Sequence, residues 1–182
     1  MQLLTTIYRH EKVNIEGKTF FREAVRGIIF RNTPPRTAAG ASGRELLMIY
    51  SPVNGDYKFP GGGIEAGETH VETLRRELIE EAGATLTKVT SEFGKTIEYA
   101  NAFDDDFDTY KQASHYYFCE IDGEMGDLNL EDYEEKLGFR PVWVSINDAL
   151  KVNRKIIEES NPAPKWTRRE ISILEILLEK GT

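Results

Sequence analysis

Hydrophobic and polar positions alternate in short blocks along most of this chain, and the blocks predict a mixed set of strands and helices. Residues 3–9 (LLTTIYR), 19–30 (TFFREAVRGIIF) and 45–53 (ELLMIYSPV) are rich in β-branched and aromatic residues and predict strands. Residues 32–43 (NTPPRTAAGASG) contain only turn-formers, small residues and one arginine, and predict a surface loop. Asn54-Gly55-Asp56 predicts a turn, after which Tyr57-Lys58-Phe59 leads into three consecutive glycines. Residues 85–99, 110–121 and 139–145 predict further strands. Ser145 and Asp148 suit a capping pair for a helix over about 146–159, broken at Asn161-Pro162-Ala163-Pro164. A last helix over about 166–179 places Ile171, Leu174, Leu177 and Leu178 on one stripe. No internal repeat or long linker divides the chain. One α+β domain over 1–182 is expected, with a mixed β-sheet covered by helices.

The segment FPGGGIEAGETHVETLRRELIEEAG, residues 59–83, has a stronger pattern than the rest. Thr69 and Glu72 form a capping box, so a helix starts at about residue 70, and Gly83 sits where a left-handed terminator belongs. Val71, Leu74, Leu78 and Ala82 recur at helical spacing and predict the buried face. Glu77, Glu80 and Glu81 stand at i, i+3 and i+4 and share a second face, about 110° around from the apolar one at roughly 100° per residue. Like charges at this spacing repel by a few tenths of a kcal/mol per pair. A hard divalent cation with oxygen ligands would offset the repulsion. Gly61, Gly62 and Gly63 permit a backbone conformation closed to other residues, so at least one is expected at positive φ beside such a site. Glu68, just before the helix, can turn back toward the same carboxylates.

Composition narrows the classes. The chain has 182 residues, 40% hydrophobic and 30% charged, as an ordinary globular domain does. Its net charge of −8 argues against binding a nucleic-acid backbone by charge attraction alone. Cys119 is the single cysteine, so no internal disulfide can form, and a reducing cytoplasmic location is expected. No apolar run is long enough to span a membrane, and MQLLTTIYRHEKV lacks the plan of a signal peptide.

The spacing Gly62, Glu68, Arg76-Glu77-Leu78, Glu80-Glu81 and Gly83-Ala84 resembles the signature of the Nudix hydrolases. Ala84 is the one departure, since the family usually has a bulkier aliphatic residue there. Phe59-Pro60-Gly61-Gly62 before this box and Trp143 well after it agree with the family pattern. The resemblance covers about residues 22–158 and leaves a short N-terminal extension and a C-terminal helix outside it. It implies an α/β/α sandwich and hydrolysis of a pyrophosphate bond in a nucleoside diphosphate linked to another group, with Mg2+ or Mn2+. Glu77, Glu80 and Glu81 would bind metal, Glu68 would help hold the site, Arg76 would orient a glutamate, and Gly61–Gly63 would approach the substrate. The base would be Glu80 or Glu81, with Glu134 or Glu135 in reserve. The implied partner is a small-molecule nucleotide rather than a nucleic-acid polymer or a membrane, with a homodimer as an open alternative. Nucleoside triphosphates and dinucleoside polyphosphates lead the substrate classes. Tyr99 weakly favours the latter. ADP-ribose or nucleotide sugars are the alternative, and a non-catalytic nucleotide sensor is the alternative of another class. Asp104, Asp105, Asp106 and Asp108 are expected at a polar loop tip, His115 as a hydrogen-bonded sheet residue, and Tyr116 and Phe118 in the core.

Overall fold

A computed structural model describes residues 1–32, 43–160 and 162–181, so most of the expected 32–43 loop and Asn161 lie outside the described residues. The element order is β1 (Leu3–Tyr8), β2 (Thr19–Ile28), β3 (Phe30–Asn32), β4 (Arg44–Ser51), β5 (Asp56–Lys58), α1 (His70–Ala82), β6 (Ala84–Asn101), β7 (Thr109–Met125), α2 (Asp132–Leu137), β8 (Arg140–Ser145), α3 (Ile146–Glu159) and α4 (Thr167–Glu179). One four-stranded sheet runs β1-β6-β7-β2. It is mixed, because β1 joins β6 and β2 joins β7 in parallel while β6 and β7 are antiparallel. The other runs β3-β4-β5, with β8 also paired to β4.

Alternation along the strands sorts the core into two layers. On β4, Leu47 and Ile49 pack with Leu74, Leu78 and Ala82 of α1. Their neighbours Leu46 and Met48 pack with Ala149 and Leu150 of α3 and Ile173, Leu174 and Leu177 of α4. A strand buried on both faces needs this unbroken apolar run. The result is the helix–sheet–helix sandwich expected from the sequence. Tyr116 is fully buried and Phe118 packs on the same layer, as expected.

The structure differs from the sequence reading in four places, each for a physical reason. The expected strand over 19–30 breaks at Ile29, and Phe30–Asn32 pairs with β4 in the other sheet. Residues 132–137, where the sequence pattern predicts neither strand nor helix, form α2. Glu131 and Glu134 make its capping box, and Gly138 closes it at φ 66°. On α1, Val71 is 41% exposed, and Thr73, Glu77 and Glu81 are buried beside Leu74, Leu78 and Ala82. Two of the three carboxylates therefore lie inside, next to the apolar stripe rather than around from it. On α4 the stripe is Ile173, Leu174 and Leu177, while Leu178 is 40% exposed.

The last helix carries an ionic core. Arg169 Nη1 donates to Glu98 Oε2 at 2.8 Å and its Nη2 to Glu170 Oε1 at 2.5 Å. Arg9 donates to the other oxygen of Glu98 from Nε at 3.1 Å and Nη2 at 3.0 Å. One carboxylate on β6 thus joins the segment after β1 to α4. At the start of α4, Trp166 Nε1 and Thr167 Oγ1 each donate to the buried Asp56 at 2.7 Å, fixing the helix to β5. Among the described residues no helix is long and apolar enough to cross a membrane.

Candidate active site

The glycine turn runs along β2. Gly27 donates to the Pro60 carbonyl and Val25 to that of Gly62, each at 2.9 Å, and Ile64 donates to that of Glu23 at 3.1 Å. Gly61 takes φ 127°, the expected positive value, and a Cβ there would meet the Val25 carbonyl. Gly62 needs no special φ, but its Cβ would run into the Glu77 carboxylate. At Gly63 a Cβ would meet only the end of the flexible Arg22 side chain, at 2.6 Å. These three glycines therefore have different jobs. Gly62→Ala is expected to push Glu77 out of place and lower turnover by about a hundredfold, the scale of a 1 Å misplacement. Gly63→Ala should be tolerated. Steady-state rates with thermal melts distinguish a displaced carboxylate from a general loss of stability.

Arg76 gathers the expected carboxylates. Its Nε and Nη2 form a fork on Glu68, at 2.8 and 2.9 Å. Its Nη1 donates to Glu77 Oε1 at 2.9 Å and to Glu80 Oε2 at 3.1 Å, and Nη2 also reaches the Gly63 carbonyl at 3.1 Å. Thr73 Oγ1 donates to Glu68 at 2.8 Å. The Arg76 hydrogen bonds hold the Glu68 carboxyl well down, to about 2. Glu68 thus fixes Arg76, and Arg76 fixes Glu77 and Glu80.

A second group forms around Lys58. Its ammonium pairs with Glu81 Oε1, and the Gly61 N–H donates to Glu81 Oε2 at 2.8 Å. Glu81 is fully buried and hydrogen-bonds to Glu134, which also accepts from the Tyr133 hydroxyl at 2.8 Å. Burial raises Glu81 most, opposed by Lys58 and helped by Glu77 and Glu134, to about 8. Burial alone would raise Glu134 as well, but the hydrogen bond from Glu81 and the Lys58 charge hold it below its ordinary value. Two carboxyls this close titrate as a pair that shares a proton. Glu135 is exposed, and the cleft is lined by Glu134 and not by Glu135.

The cleft has two connected parts. An acidic one of about 340 Å³ holds Glu77, Glu80, Glu134, Tyr133 and Arg76. A basic and aromatic one of about 300 Å³ holds Arg9, Arg26, Lys58, Phe20, Phe103 and Tyr110, and Arg22, Gly62, Tyr133 and Lys165 line both. Arg26 is 6% exposed, and its Nε is buried without a hydrogen-bond partner. Partial burial, followed by the charges of Arg9, Arg22, Arg169 and Lys58, pushes the Lys165 ammonium down from its ordinary value. Phe20 and Phe103 are 46% and 80% exposed at the mouth, each against the Tyr110 ring.

Sequence reasoning missed Lys58, Arg22, Arg26, Tyr133 and Lys165. Three of these left a signal. Arg22 and Arg26 stand on one face of a strand otherwise turning apolar, and Lys58 directly precedes Phe59-Pro60-Gly61-Gly62. The acidic run at Asp104–Asp108 lies at the tip between β6 and β7, as expected, where Asp108 accepts from the Lys18 N–H at 2.7 Å.

The Glu77 and Glu80 carboxylates face the acidic part, and the glycine turn leaves room beside Glu77 that a side chain would fill. Both features suit a hard divalent cation, for which Glu77 and Glu80 would be ligands, whereas Glu81 lies fully buried behind them, paired with Lys58 and the Gly61 N–H. This fold and this carboxylate helix define a class of metal-assisted hydrolases. The NUDIX domain family model matches residues 22–167, and the chain belongs to that family. NUDIX hydrolases as a group use divalent cations. The chain is 31% identical over 86 residues to an RNA pyrophosphohydrolase of Sulfurovum sp. (strain NBC37-1), covering 47% of this chain and 51% of that protein. It is 40% identical over 47 residues to an RNA pyrophosphohydrolase of Helicobacter pylori (strain G27), covering 26% of this chain and 30% of that protein. The chain thus spans about half or less of the curated relatives it matches. The solution structure of the E. coli ORF135 protein shares the fold, with a TM-score of 0.53 and 20% identity over 88% of this chain and 91% of that one.

Proposed function

We propose that this chain hydrolyses a pyrophosphate bond in a nucleoside triphosphate or dinucleoside polyphosphate, with Mg2+ or Mn2+ as the cation. The observation that supports this reading is the joining of an acidic wall to a basic, aromatic wall in one cleft. Bound cations would neutralise the phosphoryl oxygens and lower the pKa of the attacking water. The chain's own groups do the rest. Glu77 and Glu80 would hold the cations, and Arg76 and Glu68 keep both carboxylates in place. Water attacks phosphorus, the bond to the bridging oxygen breaks, and the proton released by water passes to the Glu81–Glu134 pair.

Arg22, Arg26 and Lys165 then meet phosphates outside the bond being cut. Lys58 and Arg9 are less free to do so, being paired with Glu81 and Glu98. Three cations beyond those pairs suit a chain of three or more phosphates better than the diphosphate of ADP-ribose or a nucleotide sugar. Phe20, Phe103 and Tyr110 offer ring faces on which a base stacks.

The names of the partial relatives favour a second reading, in which the substrate is the phosphorylated 5′ end of an RNA. A panel in Mg2+ or Mn2+ tests both. It includes nucleoside triphosphates, dinucleoside polyphosphates, ADP-ribose, nucleotide sugars and a 5′-triphosphorylated oligoribonucleotide. The first reading expects the first two classes to be cleaved at least tenfold faster than the others. Preference for the oligoribonucleotide supports the second reading. Nucleotide binding without turnover would mean a sensor and overturn both.

A further inference from the structure

On the other face of β2 and β7 from the cleft, three side chains meet that hydrolysis does not use. Glu23 of β2, His115 of β7 and His70, the first residue of α1, bring their ligand atoms within 4.8 Å of one another. Glu23 Oε1 lies 3.1 Å from His115 Nε2, and the two imidazole rings are tilted at 50° with centroids 4.5 Å apart. We infer that Glu23, His70 and His115 form a binding site for a transition-metal dication of the zinc type, separate from the hydrolytic cation.

Three features carry this inference. First, the donors are two imidazoles and one carboxylate, a set that suits zinc and is poor for magnesium, which takes oxygen ligands. Second, each imidazole has an acceptor for its other nitrogen. The Tyr117 hydroxyl is 2.5 Å from His70 Nδ1, and the Met1 sulfur is 3.3 Å from His115 Nδ1. A metal-bound histidine needs such a partner to fix its tautomer and ring plane. Third, the geometry is close to closing. Tetrahedral zinc with bonds of about 2.0–2.1 Å places its ligand atoms roughly 3.3 Å apart. The Glu23–His115 pair already meets that separation, and the exposed Glu23 side chain can turn to shorten the rest. Three protein ligands leave a fourth position for water.

The site shares no residue with the carboxylate cleft. Arg22, Ala24 and Arg26 alternate with Glu23 along β2, and the two arginines face the cleft. A zinc ion here would tie the first turn of α1 to the sheet without entering the reaction.

Tag-free protein is titrated with Zn2+, and in parallel with Co2+, in saturating Mg2+ to fill the carboxylate site. The expected result is one equivalent of Zn2+ bound and visible Co2+ absorption typical of four-coordinate imidazole–carboxylate ligation. Glu23→Gln, at an exposed position that leaves folding intact, and His70→Gln should each weaken Zn2+ binding at least tenfold. Both should keep Mg2+-dependent turnover within about twofold, which distinguishes failure here from failure of the hydrolytic reading. Absence of stoichiometric Zn2+ binding in saturating Mg2+ overturns the inference. So does binding that both variants leave unchanged.

Discussion

Glu81→Gln and Glu134→Gln are each expected to lower turnover by about a hundredfold or more, the scale of losing a general base. Glu134 lines the cleft and Glu81 hydrogen-bonds to it from below, so removing either breaks the proton-sharing pair proposed to receive the proton from water. At saturating metal these two variants should lose the acidic limb of the rate profile. Glu77→Gln and Glu80→Gln should instead raise the metal concentration needed and keep that limb, because they remove ligands held by Arg76 rather than the proton acceptor. Glu135→Gln should stay within about twofold of the parent, as an exposed surface change does. Initial rates over pH and metal concentration check all five. Near-normal turnover in both Glu81→Gln and Glu134→Gln would place the acceptor elsewhere.

The second large effect concerns stability. Glu98 is fully buried between Arg9 and Arg169, so Glu98→Gln leaves two guanidinium groups facing a neutral amide. Breaking a buried ionic group by removing one partner costs about 3–5 kcal/mol. Burial alone would raise the Glu98 carboxyl, but Arg169 and then Arg9 outweigh it and hold the group below its ordinary 4.5. A carboxylate depressed in the folded state stabilises above its unfolded value, and that contribution is lost as pH falls through the lower folded value. The gap in melting temperature between parent and variant should therefore be full at pH 7 and narrow on acidification below about 4.5. A gap that is small at pH 7, or that widens in acid, would show that the network is not a stabilising one.

Legibility in the sequence followed the distance between partners. The capping box at Thr69 and Glu72, the terminator Gly83, the positive φ at Gly61 and the Ser145 cap rest on neighbours a few residues apart, and each was readable. The burial of Glu81 rests on Lys58, 23 residues away, and that of Arg169 on Glu98, 71 residues away. Periodicity treats such charges as solvent-facing, so the helix faces of α1 and α4 were drawn one position off. The acidic segment at 131–138 failed for another reason. Its capping box is made of two glutamates, Glu131 and Glu134, where a helix start is normally read from Ser or Thr followed by Glu or Gln. At the site, the resemblance supplied the acidic wall. The basic wall comes from residues on four separate segments, Arg9 after β1, Arg22 and Arg26 on β2, Lys58 on β5 and Lys165 before α4, which no local pattern joins.

The place of Lys165, Trp166 and Arg169 has a consequence for the order in which the molecule becomes useful. The carboxylate helix is complete by residue 82, yet Lys165 of the basic wall and Arg169, the second partner of Glu98, lie more than 80 residues later. At about 5–20 residues per second, a nascent chain spends several seconds or more with that helix made and the cleft still lacking this lysine. During that interval Glu98 and Arg9 remain hydrated rather than buried, and the layer under α3 lacks Ile173, Leu174 and Leu177. Completion of the cleft is therefore tied to synthesis of the last helix, and a chain released early would keep Arg9, Arg22, Arg26 and Lys58 but lack Lys165 and the ionic core around Arg169.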